Sequence, residues 1–290
     1  MELFLKNITK KYGDKKVVNN ITTSMTPGVY ALLGANGAGK TTLMRMMTGI
    51  LEPTSGEILF DKENIKEMGS EYRSILGYLP QDFGYYPNYS AKDFLLYIAT
   101  LKGITAKTAK SRVLDLAEKV GLGDVINKKI KTFSGGMKQR LGIAQAILND
   151  PYILIMDEPT AGLDPKERVK FRNLISSLAQ NRIVILSTHI VSDVEAIADK
   201  VFLMKHGEFV SEGGIQKLVE EVDGHVWELK VDPKEVDKWE AETTVANLRR
   251  ENENTILRII SEEPPSEYAN PVAATLEDLY LYHFPMERGE

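Results

Sequence analysis

Two hydrophobic periods alternate along most of the chain, and together they predict its elements. Residues 2–8 (ELFLKNI) alternate apolar and polar as a half-exposed strand, and KKYGDKKVV follows with a turn at Gly13–Asp14. Val29 to Leu33 is a continuous apolar run of the kind buried on both faces, and Thr42 to Thr48 has the composition of a helix start. Pro53, Ser55 and Gly56 punctuate the chain before a short strand, Glu57 to Phe60, and a further strand, Ile75 to Leu79, ends at Pro80-Gln81. Ser90, with Asp93 three residues on, predicts a capped helix whose apolar stripe is Phe94, Leu95, Ile98 and Leu101. A second helix over 106–120 closes at Gly121 and Gly123. Ser134 caps a third with Met137, Leu141, Ala144 and Leu148 on one face, and Asp164-Pro165 opens a fourth with Phe171, Leu174, Ile175 and Leu178 inward. Two more buried strands are read at Tyr152 to Pro159 and Ile183 to Ser187.

Strands alternating with helices predict an α/β fold with a mainly parallel sheet covered on both faces, and ligands at the carboxyl ends of its strands. The helices between about residues 85 and 150 read as a helical subdomain inserted between strands. From about Ile215 the pattern changes. HVWELKV and NTILRII read as strands, WEAETTVANLRR has no decided period, EEPPSEYANP is a linker, and TLEDLYLYHF is a helix. The chain is thus expected to divide into residues 1–214 and a small α+β module, 215–290, as its 290 residues suggest on the prior of about 150 per domain.

The carboxyl ends of the predicted strands carry the chemistry. Gly34 to Thr42 (GANGAGKTT) fits the phosphate-loop pattern of Gly, four residues, Gly, Lys and Ser/Thr, and lies between a strand and a helix as that pattern requires. Backbone N–H groups and the helix dipole converge there on an anion, the glycines let the chain wrap closely, Lys40 reaches the β- and γ-phosphates, and Thr41 is placed to ligate Mg²⁺. TFSGGMKQR presents a second glycine-bearing helix N-terminus, a second anion-binding end. The strand YILIMDEP ends in Asp157 and Glu158, which suit Mg²⁺ ligation and activation of water, unless they form a solvated acidic turn. A lone histidine is more often structural than catalytic, but His189 follows a core strand, and that position raises the functional reading. Tyr12, in the first turn, either stacks on a purine or is a surface aromatic. The tyrosines of DFGYYPNY either pack on this domain or face a partner.

Composition narrows the classes further. A net charge of −5 gives no electrostatic reason for broad nucleic-acid binding, and no nucleic-acid partner is expected. No cysteine means no disulfide framework and no thiolate metal site, which fits a reducing compartment. The opening MELFLKN lacks the basic stretch and long apolar core of a secretory signal, and no apolar run approaches the roughly 18 residues that span a bilayer. If the protein works at a membrane, another chain takes it there.

Taken in order, these motifs resemble the ATP-binding subunits of ABC transporters over roughly residues 2–214. GANGAGKT resembles the Walker A loop, Gln81 the Q-loop glutamine, FSGGM the signature, ILIMDE the Walker B strand, AGLD the D-loop and His189 the switch histidine. The resemblance implies a P-loop NTPase core of the ABC type, an ATPase with ATP and Mg²⁺ as its ligands. It implies that Tyr12 stacks on adenine, and that Gly34, Asn36, Gly37, Gly39, Lys40, Thr41 and Thr42 hold the phosphates. Thr41, Gln81 and Asp157 belong to the Mg²⁺ shell. Glu158 polarises the attacking water, with His189, Gln81 and Lys40 as further catalytic groups. Ser134, Gly135 and Gly136 bind the γ-phosphate of ATP held by the opposite subunit. Each chain then holds two half-sites, so a head-to-tail dimer, expected to be a homodimer, sandwiches two ATP. It drives a separate integral-membrane permease from the cytoplasmic face of the membrane, through the groove near Gln81 and Tyr85.

Two signature positions depart from the family pattern, Phe133 standing for Leu and Met137 for Gln. Activity is expected to survive, without any hydrogen bond the glutamine supplies. The variant resembles a subgroup of exporters of antibiotics and other hydrophobic compounds, which often ends in a module like residues 215–290. Its role is either regulation or passive support of the core or the dimer. The competing reading, a soluble ABC-type ATPase acting on ribosomes or DNA, is disfavoured by a single nucleotide domain, the absence of a sustained heptad run and the acidic charge. A P-loop kinase would leave the SGG motif and the Asp-Glu pair without a role.

Overall fold

Gly13, at φ +57°, turns β1 (Leu3–Tyr12) back onto β2 (Lys15–Met25) in the computed structural model, which describes residues 1–285. The chain continues through β3 (Gly28–Leu33), the glycine loop and α1 (Lys40–Met47) to β4 (Ser55–Phe60) and β5 (Glu63–Asn64). An antiparallel sheet of order β2-β1-β4-β5 results. The alternation in β1 has the meaning read from sequence, since Leu3, Leu5 and Ile8 are buried while Lys6 and Asn7 are exposed. Short helices α2 (Ile65–Met68) and α3 (Ser70–Ser74) lead to β6 (Leu76–Leu79). The Tyr72 hydroxyl of α3 donates to the Met47 carbonyl at 2.6 Å, which pins α3 to the end of α1.

The inserted helices are α4 (Ala91–Leu101), α5 (Ala106–Lys119) and α6 (Gly135–Ala146). Ser90 caps α4 by accepting the Asp93 N–H at 3.0 Å. The expected stripe needs one correction: Leu101 is 66% exposed, and the buried face runs through Ala91, Phe94, Leu95 and Ala99. At about 100° per residue, Leu101 falls on the flank of that arc. It is also the last helical residue, and Gly103 (φ +71°) turns the chain away before another element covers it. The face of α6 is likewise redrawn: Leu141, Ile143, Ala144 and Ala146 are buried and Met137 is only half-buried, while Leu148 is buried beyond the helix end. Gly142 brings α6 close to the end of β6, since a Cβ there would stand 2.7 Å from Leu79 Cδ1 and 2.9 Å from Phe83 Cε1.

The remainder of the core alternates strand and helix: β7 (Ile153–Asp157), α7 (Pro165–Leu178), β8 (Ile183–Thr188), α8 (Val191–Ile197), β9 (Lys200–Lys205) and β10 (Glu208–Gly213). The second sheet has the order β10-β9-β3-β8-β7-β6, with β9, β3, β8, β7 and β6 parallel. Every residue of β7 and β8 is buried. Such strands lie between two helical layers and read as unbroken apolar runs, each buried Val, Leu or Ile contributing about 1.5–3 kcal/mol. Asp164 caps α7 with Pro165 at its first turn, as expected, while Leu174 and Leu178 are half-buried beside the fully buried Phe171 and Ile175.

Packing divides the chain into two compact units, Met1–Val210 and Ser211–Glu290. In the second, α9 (Ile215–Val219) precedes β11 (Val226–Val231), α10 (Val236–Glu242), β12 (Thr244–Glu251), β13 (Asn254–Ile260), β14 (Asn270–Pro271) and α11 (Leu276–His283). The sheet order is β12-β13-β11-β14. The stretch without a decided period, 239–250, thus contains both the end of α10 and most of β12. The expected linker contributes an edge strand, because Asn270 and Pro271 pair with Glu228 and Trp227, and a proline is tolerated where no further strand needs its N–H. Leu229, Val231, Leu257 and Ile259 form this unit's small core.

Candidate active site

Three adjacent strands of the parallel sheet deliver the candidate groups to one edge. β3 runs into the glycine loop, β8 into His189 and β7 into Asp157-Glu158, in a register that aligns Leu33 with Thr188 and Asp157 with Ser187. A cleft at that edge is lined by Val17, Asn36, Gly37, Ala38, Gly39, Lys40, Thr41, Thr42, Gln81, Asp157 and Glu158.

The loop's glycines are required for two different reasons. A Cβ on Gly34 would stand 2.3 Å from the Met204 carbonyl oxygen, so β9 leaves no room for a side chain. Gly39 combines φ +109° with a Cβ position 2.5 Å from the Val17 carbonyl oxygen, whereas Gly37 has open space around it and needs glycine only for φ +80°. Gly39 caps α1, whose first turn carries no acidic side chain. The loop therefore presents N–H groups and a helix dipole to an anion, with no carboxylate on the helix's own first turn to offset them. The buried Lys40 ammonium donates to the Gly34 carbonyl at 2.6 Å and the Ala35 carbonyl at 3.1 Å. Burial lowers its pKa, and the Glu158 and Asp157 carboxylates act in the opposite sense.

Across the cleft the two carboxylates differ in their supports. Asp157 Oδ1 accepts the Ser187 hydroxyl, while its buried Oδ2 has no hydrogen-bond partner. A half-satisfied buried carboxylate, with Thr41 and Gln81 lining the same cleft, is an all-oxygen donor set of the kind a hard divalent cation takes. Glu158 occupies the left-handed region at φ 51°, and its N–H donates to Ser187 Oγ at 2.9 Å. A non-glycine residue there marks a position that surrounding structure holds against local preference. His189 Nδ1 lies 3.1 Å from Glu158 Oε2.

The remaining candidates lie outside this cleft. Tyr12 is 54% exposed at the end of β1, with the Lys10 ammonium 5.5 Å from its ring centroid. Ser134 caps α6, accepting the Met137 N–H at 3.2 Å, and Gly135 stands open at the exposed helix tip. Phe133, the signature departure, is buried, so it serves packing below that tip. Of the tyrosines in the turn-rich segment, Tyr86 and Tyr89 are exposed and form a ring cluster with Tyr97 of α4, centroids 4.9–6.4 Å apart. Tyr85 packs on Phe83, 5.6 Å between centroids. Sequence reading missed Ser187 and Val17. Ser187 had one usable signal, its place immediately before Thr188-His189 at a strand end; Val17 lines the cleft with its carbonyl oxygen close to Gly39, an approach no side-chain pattern reveals.

The ABC transporter family matches residues 18–161. Over 235 residues the chain is 37% identical to the uncharacterized ABC transporter ATP-binding protein YxlF of Bacillus subtilis (strain 168), spanning 80% of this chain and 77% of that one. It is 38% identical to the lantibiotic transport ATP-binding protein SrtF of Streptococcus pyogenes, covering 72% and 90% of the two chains, and 41% identical to the bacitracin transport ATP-binding protein BcrA of Bacillus licheniformis, covering 71% and 67%. Among solved structures it is similar to a dimeric bacterial ABC transporter cassette, with a TM-score of 0.68 and 25% identity over 73% of this chain and 98% of that one. The same cassette in a post-hydrolysis state bound to ADP and Pi gives a TM-score of 0.67.

Proposed function

The chain belongs to the ATP-binding proteins of ABC transporters, and from that premise we propose that it is the motor subunit of an exporter, hydrolysing ATP to drive a separate membrane permease. The observation that carries the reading is the meeting of the glycine loop, Lys40, Asp157 and Glu158 around one cleft, with His189 against Glu158. Loop N–H groups and Lys40 would hold the β- and γ-phosphates, exchanging the Gly34 and Ala35 carbonyls that Lys40 now engages for phosphate oxygens. Thr41, Gln81 and Asp157 would hold Mg²⁺, which when bound neutralises charge on the β- and γ-phosphates. Glu158, held by Ser187, would polarise the attacking water, and His189 would contact the γ-phosphate. Tyr12 would stack on adenine; its exposed ring suits such a role.

Ser134, Gly135 and Gly136 point to a second subunit, because their helix tip is exposed and lies outside the cleft that their own chain lines. A head-to-tail pair of these chains would close each nucleotide between one loop and the other chain's tip. For the permease, the exposed Tyr86, Tyr89 and Tyr97 rings beyond Gln81 offer an apolar face with polar edges. No helix among the described residues is long and apolar enough to cross a membrane, so attachment to one would run through such a partner at the cytoplasmic face. The names of SrtF and BcrA point to lantibiotic- or bacitracin-like cargo. The test is an ATPase assay with and without Mg²⁺, joined to affinity purification from detergent-solubilised membranes. Mg²⁺-dependent hydrolysis and co-purification of an integral-membrane protein are the expected results. Capture of ribosomes or DNA instead would overturn the transport reading.

A further inference from the structure

Leu163 packs directly on the second signature glycine: a Cβ built on Gly136 would stand 3.4 Å from Leu163 Cδ2. Leu163 is buried, and two linked turns join it to the acid, the Ala161 N–H donating to the Glu158 carbonyl and the Leu163 N–H to the Thr160 carbonyl, both at 3.2 Å. The chain then enters α7, where Asp164 Oδ1 accepts the Glu167 N–H at 2.9 Å. Glu167 Oε2 in turn lies 3.1 Å from Arg140 Nε on α6, an ion pair at an angle that makes no hydrogen bond, with less than a fifth of either side chain exposed. Arg140 Nη1 donates to the Gly121 carbonyl at 2.9 Å and approaches the Val120 carbonyl at 3.4 Å, where α5 ends. Gly121 has φ +69°, and a Cβ there would stand 2.9 Å from that same nitrogen, so glycine also leaves the space in which the guanidinium sits.

One guanidinium therefore joins the end of α5, the body of α6 and the first turn of α7. The tip of α6 lies five residues before Arg140, a turn and a half of rigid helix, and the start of α7 is reached from Glu158 in seven residues. A displacement at Ser134-Gly135-Gly136 has two routes to the acid's loop, the Gly136–Leu163 contact and the Arg140–Glu167 pair. We propose that Arg140 and Glu167 are positioning residues that make the geometry of Glu158 at one nucleotide depend on what the same chain's helix tip meets on the second subunit. This rests on the dimeric ATPase reading above. A merely structural staple would stabilise the inserted helices without linking one site to the other.

A double-mutant cycle on the full chain separates the two roles. Arg140→Gln, Glu167→Gln and the double variant are compared with wild type for hydrolysis against ATP concentration, affinity for a fluorescent ADP analogue, and melting temperature. Wild type should show a Hill coefficient approaching about two. Each single variant should lose about tenfold in kcat and fall towards a Hill coefficient of one, with analogue affinity held within about twofold and the double variant no worse than either single. Unchanged kcat and Hill coefficient in the singles, losses that multiply in the double, or analogue affinity that falls in parallel with kcat would each overturn the inference, as would a wild type without cooperativity. Should the glutamine variants melt below the assay temperature, Leu163→Val takes their place. It trims the contact on Gly136 and must also lower the Hill coefficient, and an unchanged coefficient overturns the inference. A wild type with no ATPase activity at all counts against the proposed function instead.

Discussion

The Ser187 hydroxyl joins two candidate groups at once, donating to Asp157 Oδ1 and accepting the Glu158 N–H at 2.9 Å. It can do so because β7 and β8 are parallel neighbours in a register that puts Asp157 opposite Ser187. One buried oxygen thus fixes the carboxylate proposed to hold Mg²⁺ and the backbone of the residue proposed as the water-polarising acid.

Removing that oxygen should separate chemistry from nucleotide binding. Ser187→Ala leaves the Glu158 N–H without an acceptor and Asp157 without its donor, and buried polar groups so stranded cost about 1–3 kcal/mol. Groups that orient a metal ligand carry about 10–100-fold in metal affinity or activity. The expected result is a kcat lower by that factor, with a higher Mg²⁺ concentration for half-maximal rate and a lower melting temperature. An unchanged Mg²⁺ dependence would separate Ser187 from the metal-side carboxylate.

Glu158→Gln keeps the volume, the backbone N–H bond to Ser187 and an acceptor near His189, and removes the carboxylate charge. Positioned acid–base groups contribute about 10²–10⁴ in rate. Hydrolysis should fall by that order while ATP affinity stays within about twofold, and size-exclusion chromatography with ATP should show a trapped dimer. Wild-type turnover would remove Glu158 from its assigned role.

Much of this arrangement was legible in the chain because its key positions are covalently simple. The phosphate loop, the Asp157-Glu158 strand end and His189 each close an apolar run, and parallel strands bring such ends to one edge whatever the details of packing. What escaped depends on which strands are neighbours. Ser187 acquires its meaning only from lying opposite Asp157, and Val17 only from its carbonyl lying close to Gly39. The same limit applies to Leu101, whose spacing placed it on an apolar stripe that is covered at Phe94 and Leu95 but not at its own end, and to Asn270-Pro271, whose composition reads as linker although β11 recruits it as an edge.

Gly34 and Gly37 offer a matched pair of tests for the loop. Gly34→Ala places a Cβ 2.3 Å from the Met204 carbonyl oxygen, and β9 cannot retreat, because Leu203 is paired with Leu33. Gly37→Ala meets nothing within 4 Å and bears only the strain of φ +80°, about 1–2 kcal/mol. ATP affinity, measured by calorimetry, should fall more than about tenfold for Gly34→Ala, beyond the tenfold that 1.4 kcal/mol corresponds to. Gly37→Ala should retain binding within about that tenfold. Equal effects would mean that backbone φ, not the approach of β9, decides the loop.

In the second unit Asp278 is the residue whose titration should set acid stability. It accepts from Arg258 Nε at 2.8 Å and Nη2 at 2.6 Å and from the Thr275 N–H and hydroxyl, both at 2.7 Å, in the capping box of α11. Burial raises its pKa, but these hydrogen bonds and the Arg258 charge prevail and hold it below its ordinary value of 3.8. A carboxylate depressed in the folded state contributes stability that is complete above the unfolded value and is lost as pH falls through the folded one. The stability of this unit should therefore not vary with pH through Asp278 near neutrality, and should weaken below about pH 4, where the unfolded chain begins to take up the proton. Both tryptophans, Trp227 and Trp239, lie in this unit and report its unfolding by fluorescence. Asp278→Asn should lower stability at pH 7 by about 1.5–3 kcal/mol, as hydrogen bonds to a charged group are worth, and should flatten the acid limb between pH values of about 4 and 3. An acid limb identical in wild type and variant would assign the acid sensitivity of this unit to other carboxylates.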